Sequence, residues 1–290
     1  MAFFLAVANR KGGVGKSTIS VMLAQAYAVW GKKRVLLLDL DAQCNASLIL
    51  QGGEGWRDAM LQGRTIREYF DDLFDGFPAD PKDYLCHEVG DVLGEDGKPA
   101  RISILSGSLM LEDIQNELVL RQSRHASSPK VLQDQVRLRI EQLLRRLQTK
   151  FDLVILDCAP GLSAASQAAI KMAGRVLVPF RPDYVSQFAV DRIAQFIEGR
   201  LGPADFARLP PEERRYVCVA NYFRDNGRDN IIVDTIGFDH PILETRMPQS
   251  QALADAFDFL GERQTMAEKY GDAIGAVRSL YDEMSRKVYA

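Results

Sequence analysis

Short, almost wholly apolar runs recur along the chain and alternate with stretches of helical periodicity. Phe3 to Ala8, Arg34 to Leu38, Arg101 to Leu105, Phe151 to Asp157, Arg175 to Phe180 and Tyr216 to Asn221 read as strands. A run such as RVLLL is apolar on both faces, which is how a central strand of a parallel sheet looks. Helical spacing joins Ile19, Met22, Leu23, Ala26, Tyr27 and Trp30, and later Ile66, Tyr69, Phe70, Leu73 and Phe74. It returns in Val131, Leu132, Val136, Ile140, Leu143, Leu144 and Leu147, and in a final helix expected over Arg263 to Val288. The alternation predicts an α/β unit. Residues 52–100 are the least readable: Asp75 to Pro81 and Gly90 to Pro99 are rich in Pro, Gly and Asp and predict loops. The expectation is one domain over residues 1–290, with an insert-like region at about 52–100.

Candidate chemistry sits where the first strand meets the first helix. NRKGGVGKSTIS, Asn9 to Ser20, ends in the Gly15-Lys16-Ser17 of the pattern G-x-x-x-x-G-K-[ST]. Glycines let the backbone curl until its N–H groups converge on phosphate oxygens at the positive end of the helix. Lys16 would then reach the β- and γ-phosphates, and the Ser17 hydroxyl would ligate Mg²⁺. The second strand delivers Asp39 and Asp41 at its C-terminal end, where open α/β sheets bind ligands. FDLVILD, Phe151 to Asp157, ends an apolar strand in a carboxylate that would hold Mg²⁺ through water.

KGGVGKST, Lys11 to Thr18, resembles the deviant Walker A motif of the ParA/MinD superfamily, which includes the nitrogenase iron protein. The resemblance implies that Lys11 is a signature lysine reaching the partner's phosphates in a nucleotide-sandwich homodimer. It implies phosphate contacts from Gly12, Gly13, Val14, Gly15, Lys16, Ser17 and Thr18. DLDAQCNAS, Asp39 to Ser47, resembles the family's switch I, with Ala42 for the usual proline and Cys44 for the usual glycine. There Asp41 orients the attacking water, and Asp39 supports the metal shell. DCAPGLS, Asp157 to Ser163, resembles switch II, and PFRPDYVSQFAVDRIAQFI resembles the loop and helix along the dimer contact. Asn221 stands where the family meets the adenine edge. In ETRMPQSQALADA, Met247, Pro248 and Gln249 stand where the family closes over base and ribose, Gln249 replacing the usual arginine.

The resemblance implies a doubly wound, mostly parallel sheet flanked by helices, with Lys11, Lys16 and Asp41 as the catalytic set. It further implies ATP and Mg²⁺ as cofactors, and a homodimer that binds DNA without sequence preference. A ParB-like or cargo-adaptor partner would stimulate hydrolysis, and the protein would be cytoplasmic and nucleoid-associated. The motif begins only nine residues in, which leaves no expected room for an N-terminal DNA-binding domain. A MinD-like membrane-cycling ATPase is the alternative, but Tyr281 to Ala290, with Asp282 and Glu283, makes a poor membrane helix. An electron-transfer role would need cluster cysteines, and a ligase of the dethiobiotin-synthetase kind would lack a lysine at the Lys11 position.

Charge alters this picture in one respect. The 290 residues carry a formal net charge of −3 and a pI near 5.7, so DNA contact must come from a local patch. Arg121, Arg124, Lys130, Arg137, Arg139, Arg145, Arg146 and Lys150 face only Asp134 and Glu141. Such a run reads as a solvated helix face or as a polyanion surface. Arg145 and Arg146, and in a second cluster Arg214 and Arg215 beside Arg224 and Arg228, are the candidate DNA contacts. Cys44, Cys86, Cys158 and Cys218 form no C-x-x-C pair, which argues against a zinc site or disulfide framework and for a reducing compartment. No apolar run approaches a membrane span, and no secretory signal pattern opens the chain.

Overall fold

Eight strands form a single sheet. The computed structural model of the chain describes residues 2–111, 129–199, 209–259 and 261–288, without the side chains of residues 74 and 129–136. In chain order the elements begin β1 (Phe3–Val7), α1 (Lys16–Val29), β2 (Val35–Leu40), α2 (Asn45–Leu61), α3 (Ile66–Phe74), β3 (Cys86–His87) and β4 (Ile102–Leu105). The middle of the chain supplies α4 (Pro129–Leu147), β5 (Leu153–Cys158), α5 (Ala164–Met172), β6 (Arg175–Phe180) and α6 (Tyr184–Glu198). It continues with β7 (Tyr216–Phe223), α7 (Gly227–Asp239), β8 (Ile242–Pro248), α8 (Gln251–Asp255), α9 (Met266–Tyr270) and α10 (Ile274–Val288).

The strand order is β3-β4-β2-β5-β1-β6-β7-β8, parallel throughout except for β3 against β4. Alternation along each strand divides the core between two faces. Phe4, Ala6, Leu36, Leu38, Val154 and Leu156 pack with residues of α3 to α7, while Leu5, Val7, Val35, Leu37, Leu153 and Ile155 pack with α1, α2, α9 and α10. Each Leu, Ile, Val or Phe side chain among them contributes about 1.5–3 kcal/mol on leaving water, so the loops at the strand ends hang from a rigid frame.

Two expectations change. The final helix is split: Gly271, at φ 47 and ψ −129, leaves helical geometry and separates α9 from α10. The insert-like region is woven into the sheet and its helices. Ile66, Tyr69 and Phe70 join one core face, and β3 extends the sheet edge. Asp91, wholly buried, accepts from Lys269 Nζ at 2.6 Å and from Gln25 Nε2 at 3.4 Å, and the Tyr270 hydroxyl donates to Gln25 Oε1 at 2.5 Å. A buried polar network of this kind is tolerable because its members satisfy one another. β3 and β8 had no sequence counterpart, since one is two residues long and the other, ILETRMP, carries polar residues on its outer face.

Candidate nucleotide site

The loop from β1 to α1 lies over the C-terminal ends of the central strands. Gly13 and Gly15 are left-handed, at φ 69 and φ 87, and Gly15 caps α1. A Cβ on Gly15 would meet Asn221 Nδ2 at 2.1 Å, so only glycine fits. Asn221 donates from that nitrogen to the Val14 carbonyl at 2.9 Å, which fastens the end of β7 to the loop. The front of the loop is held by Asn9, which is buried. Its side-chain Oδ1 accepts from the Lys11 N–H at 3.0 Å, and its Nδ2 donates to the Pro179 carbonyl at 2.7 Å.

The two lysines have different surroundings. Lys16 is buried and donates from Nζ to the Lys11 carbonyl at 3.3 Å. Burial pushes its pKa down, opposed by the charges of Asp157 and Asp41. Lys11 pairs instead with Asp183, with Nζ to Oδ2 at 2.5 Å. Asp183 also caps α6, accepting from the Ser186 N–H at 2.9 Å. Burial alone would raise the Asp183 pKa, but the bonds from Lys11 and Ser186 outweigh it and hold the carboxyl below its usual range.

Asp39 and Asp157 stand opposite one another in the β2–β5 register, both wholly buried. Asp39 Oδ2 accepts from the Ser47 N–H at 2.9 Å and hydroxyl at 2.7 Å, and Oδ1 accepts from the Asp41 N–H at 3.2 Å. It thereby ties the strand end to the first turn of α2. A Cβ at Gly107 would lie 3.0 Å from the Asp39 carboxyl carbon, so the neighbouring loop packs tightly against this carboxylate. Asp157 Oδ1 accepts from Ser20 at 2.9 Å, whereas Oδ2 is buried with no hydrogen-bond partner. Desolvation raises the Asp39 pKa to about 6. It raises that of Asp157 to about 8, with help from the Asp39 charge and against the pull of Ser17, Ser20 and Lys16. Asp41, largely buried, accepts from the Gln43 N–H at 3.0 Å. Cys44, in the position of the family's glycine, keeps a left-handed backbone at φ 54. A non-glycine residue there costs about 1–2 kcal/mol. Burial lifts its thiol pKa to about 12, which makes it inert.

Beside the loop opens a cavity of about 510 Å³, bordered by Thr18, Asn221, Pro248 and Gln249. The family described as an AAA domain matches residues 3–200 of the chain. The chain belongs to this family. Relatives place it, within this AAA-domain family, in the ParA/MinD superfamily. It is 29% identical over 197 residues to the sporulation initiation inhibitor protein Soj of Bacillus subtilis, a match covering 68% of this chain and 64% of Soj. It is 26% identical over 194 residues to the chromosome partitioning protein ParA of Myxococcus xanthus, covering 67% and 57%. The match thus spans less than two thirds of either relative. The fold resembles that of Cyanothece McdA in its apo form, at TM-score 0.68 and 17% identity over 98% of this chain and 100% of McdA. It also resembles the cell division ATPase MinD of Pyrococcus furiosus, at TM-score 0.64 and 17% identity over 99% of both chains. Cobyrinic acid a,c-diamide synthase from Mycobacterium smegmatis, bound to ADP and magnesium, gives TM-score 0.66 at 20% identity over 99% of this chain and 95% of that one.

This AAA-domain chain brings Lys16, Ser17, Asp39, Asp41 and Asp157 together at the strand ends, and Pro248, Gln249 and Asn221 at the cavity. Three expected contacts are corrected. Met247 is wholly buried in the core, because period two in β8 turns it inward between Arg246 and Pro248. Arg214 is only 5% exposed and donates to the carbonyls of Leu209 and Asp239 and to the Tyr216 hydroxyl. The Arg215 guanidinium donates to the carbonyls of Ile170, Ala173 and Ile197. Arg214 is an internal brace, and the part-buried Arg215 has its guanidinium committed to three backbone carbonyls. Arg145 and Arg146 remain exposed on α4, Arg146 also donating to the Ala79 carbonyl at 2.7 Å. Arg121 and Arg124 lie outside the described residues, and so does the Lys130 side chain.

The sequence had not singled out Asn9 or Asp183. Asp183 carries a legible signal as helix cap, three residues before Ser186. Its pairing with Lys11, 172 residues away, carries none.

Proposed function

We propose that this chain is an ATP-hydrolysing positioning switch of the ParA type. ATP would join two copies face to face, and the joined pair would bind DNA without sequence preference. A ParB-like or cargo-adaptor partner would trigger hydrolysis and release. The observation that carries this reading is the divergence of the two loop lysines. Lys16 is buried beside Asp41 and Asp157, while Lys11 is part-exposed and pairs with Asp183, the cap of α6, a helix whose first turns expose Tyr184, Val185 and Phe188. An ammonium paired with the cap of a helix that exposes apolar side chains suits a group that acts on a second copy. With Asn221 Nδ2 committed to Val14, its Oδ1 remains to accept from a donor on the base edge, and adenine is the base that the resemblance implies.

The donor set fits a divalent cation. Asp157 Oδ2 is a buried, unpartnered carboxylate oxygen, and the Ser17 hydroxyl lies beside that carboxylate. Two protein ligands and retained waters suit Mg²⁺, which would supply charge neutralisation to the bound phosphates. Asp41 would orient the attacking water. Lys16, and Lys11 from the second copy, would stabilise the charge on the transferred phosphoryl group.

The metal should depend on pH in a defined direction. The Asp157 pKa is raised from 3.8 to about 8, so its neutral form stabilises the metal-free fold below the unfolded pKa. That stability is lost as pH rises through about 8. Mg²⁺ needs the carboxylate, so its affinity should fall about tenfold per pH unit below that value. Thermal unfolding with and without Mg²⁺ at several pH values checks this. Equal Mg²⁺ stabilisation from mildly acid to mildly alkaline pH contradicts the assignment.

DNA binding is the arm that separates this reading from a membrane-cycling one. Val277, Leu280, Met284 and Val288 of α10 are buried, so the apolar face of that helix already serves the core. No described helix is long and apolar enough to cross a membrane. A DNA titration with ATP, ADP and no nucleotide, at several salt concentrations, should show binding with ATP only. Substituting Arg145 and Arg146 together should weaken binding to all sequences and flatten the log–log salt slope by about one for each phosphate left without its arginine. A nucleotide-locked dimer that ignores DNA at low salt but sediments with anionic liposomes replaces this reading with the membrane-cycling one.

A further inference from the structure

We infer that Arg181 is a base-stacking residue, whose guanidinium, laid over the Tyr222 ring, forms a wall of the nucleobase pocket. The inference rests on the nucleotide reading above and names a residue that holds the base. Arg181 Cζ lies 4.0 Å from the centroid of the Tyr222 ring, and both residues line the 510 Å³ cavity. A guanidinium is planar and weakly hydrated and stacks on aromatic faces. With one face on Tyr222, its other face can receive a flat heterocycle.

The stack is anchored to the phosphate loop. Tyr222 Cε2 would lie 3.4 Å from a Cβ on Gly15, the residue that caps α1. Tyr222 itself is left-handed, at φ 55, a conformation a bulky side chain rarely adopts. Strain of that kind persists where the surroundings hold it and gathers at ligand sites. Here it sits next to Asn221, which is fastened to Val14. The ring is thus fixed relative to the phosphates, and the guanidinium is fixed relative to the ring.

Charge singles out Arg181 among the cavity's two arginines. Arg224 is answered within the chain by Asp229, whose Oδ2 lies 3.7 Å from its Nε and accepts its backbone N–H at 3.0 Å. Among the described residues Arg181 has no carboxylate partner, and it is exposed. Pro248 and Leu253, which also line the cavity, offer apolar surface to a base. A base between a cation and an apolar wall needs no hydrogen bond to be held, so the stack supplies affinity and Asn221 the choice of edge.

Calorimetric titrations of Mg²⁺–ATP and of Mg²⁺–tripolyphosphate into the wild-type chain and into Arg181→Ala and Arg181→Lys decide the matter. Arg181→Ala should weaken ATP by about three- to tenfold and leave tripolyphosphate, which has no base, unchanged. Arg181→Lys restores charge without the plane and should recover only a small part of the loss. Thermal unfolding verifies that the exposed substitutions leave the fold intact. Unchanged ATP affinity in Arg181→Ala overturns the inference. Equal losses for ATP and tripolyphosphate also overturn it, making Arg181 a phosphate contact. If the wild-type chain binds neither compound, the nucleotide reading itself fails and takes the inference with it.

Discussion

A Lys16→Ala variant loses ATP affinity by about a hundredfold or more, the scale of a buried charge-assisted phosphate contact. Lys16 starts α1 beneath the loop and is buried, with the Asp157 and Asp41 charges acting on it. Removing the ammonium leaves the phosphates without that counter-charge and leaves both carboxylates more exposed to mutual repulsion. Lys11→Ala should behave differently. Its ammonium lies against Asp183, so its own subunit should still bind ATP, while turnover and dimerisation fall. Calorimetry for binding and phosphate release for turnover separate the two variants. Turnover near the wild-type rate in both would end the phosphate-loop reading.

An Asp41→Ala variant should bind ATP and dimerise, then fail to reset. Asp41 is held by the Gln43 N–H and sits two residues beyond Asp39, which braces α2 through Ser47. Losing its carboxylate therefore removes the water-positioning group and leaves the Asp39 brace to Ser47. Light scattering with ATP and Mg²⁺ should register a long-lived particle of twice the 32.4 kDa monomer mass. Loss of a water-positioning group should lower turnover by about a hundredfold or more. Normal hydrolysis, or no dimer, contradicts the role.

The sheet was legible because its central strands are buried on both faces, and RVLLL or FDLVILD admits few other readings. The phosphate loop was legible because Gly13 and Gly15 sit where left-handed backbone is required. What escaped depends on which way a side chain faces. Motif position put Met247 at the base, whereas the two-residue period of β8 turns it into the core. Counting charges put Arg214 and Arg215 on a DNA surface, whereas both guanidiniums bind backbone carbonyls inside the chain. The pairing of Lys11 with Asp183 and the stacking of Arg181 on Tyr222 join residues far apart in sequence, and no local pattern announces either.

The network around Asp91 has a consequence for how the chain is made. Gln25 lies in the first helix, yet its partner Tyr270 is 245 residues away, and Asp91 awaits Lys269 across 178. β1 likewise emerges first and waits for β5 and β6. During synthesis at about 5–20 residues per second, the nascent chain must carry its opening strand and helix unpartnered for many seconds. Contacts of such long sequence separation slow folding, because loop-closure entropy is lost before they form. The nucleotide loop, made before β5 and β6, should be among the last parts to become rigid. A chain shortened before residue 269 would leave Asp91 as a buried charge without its cation.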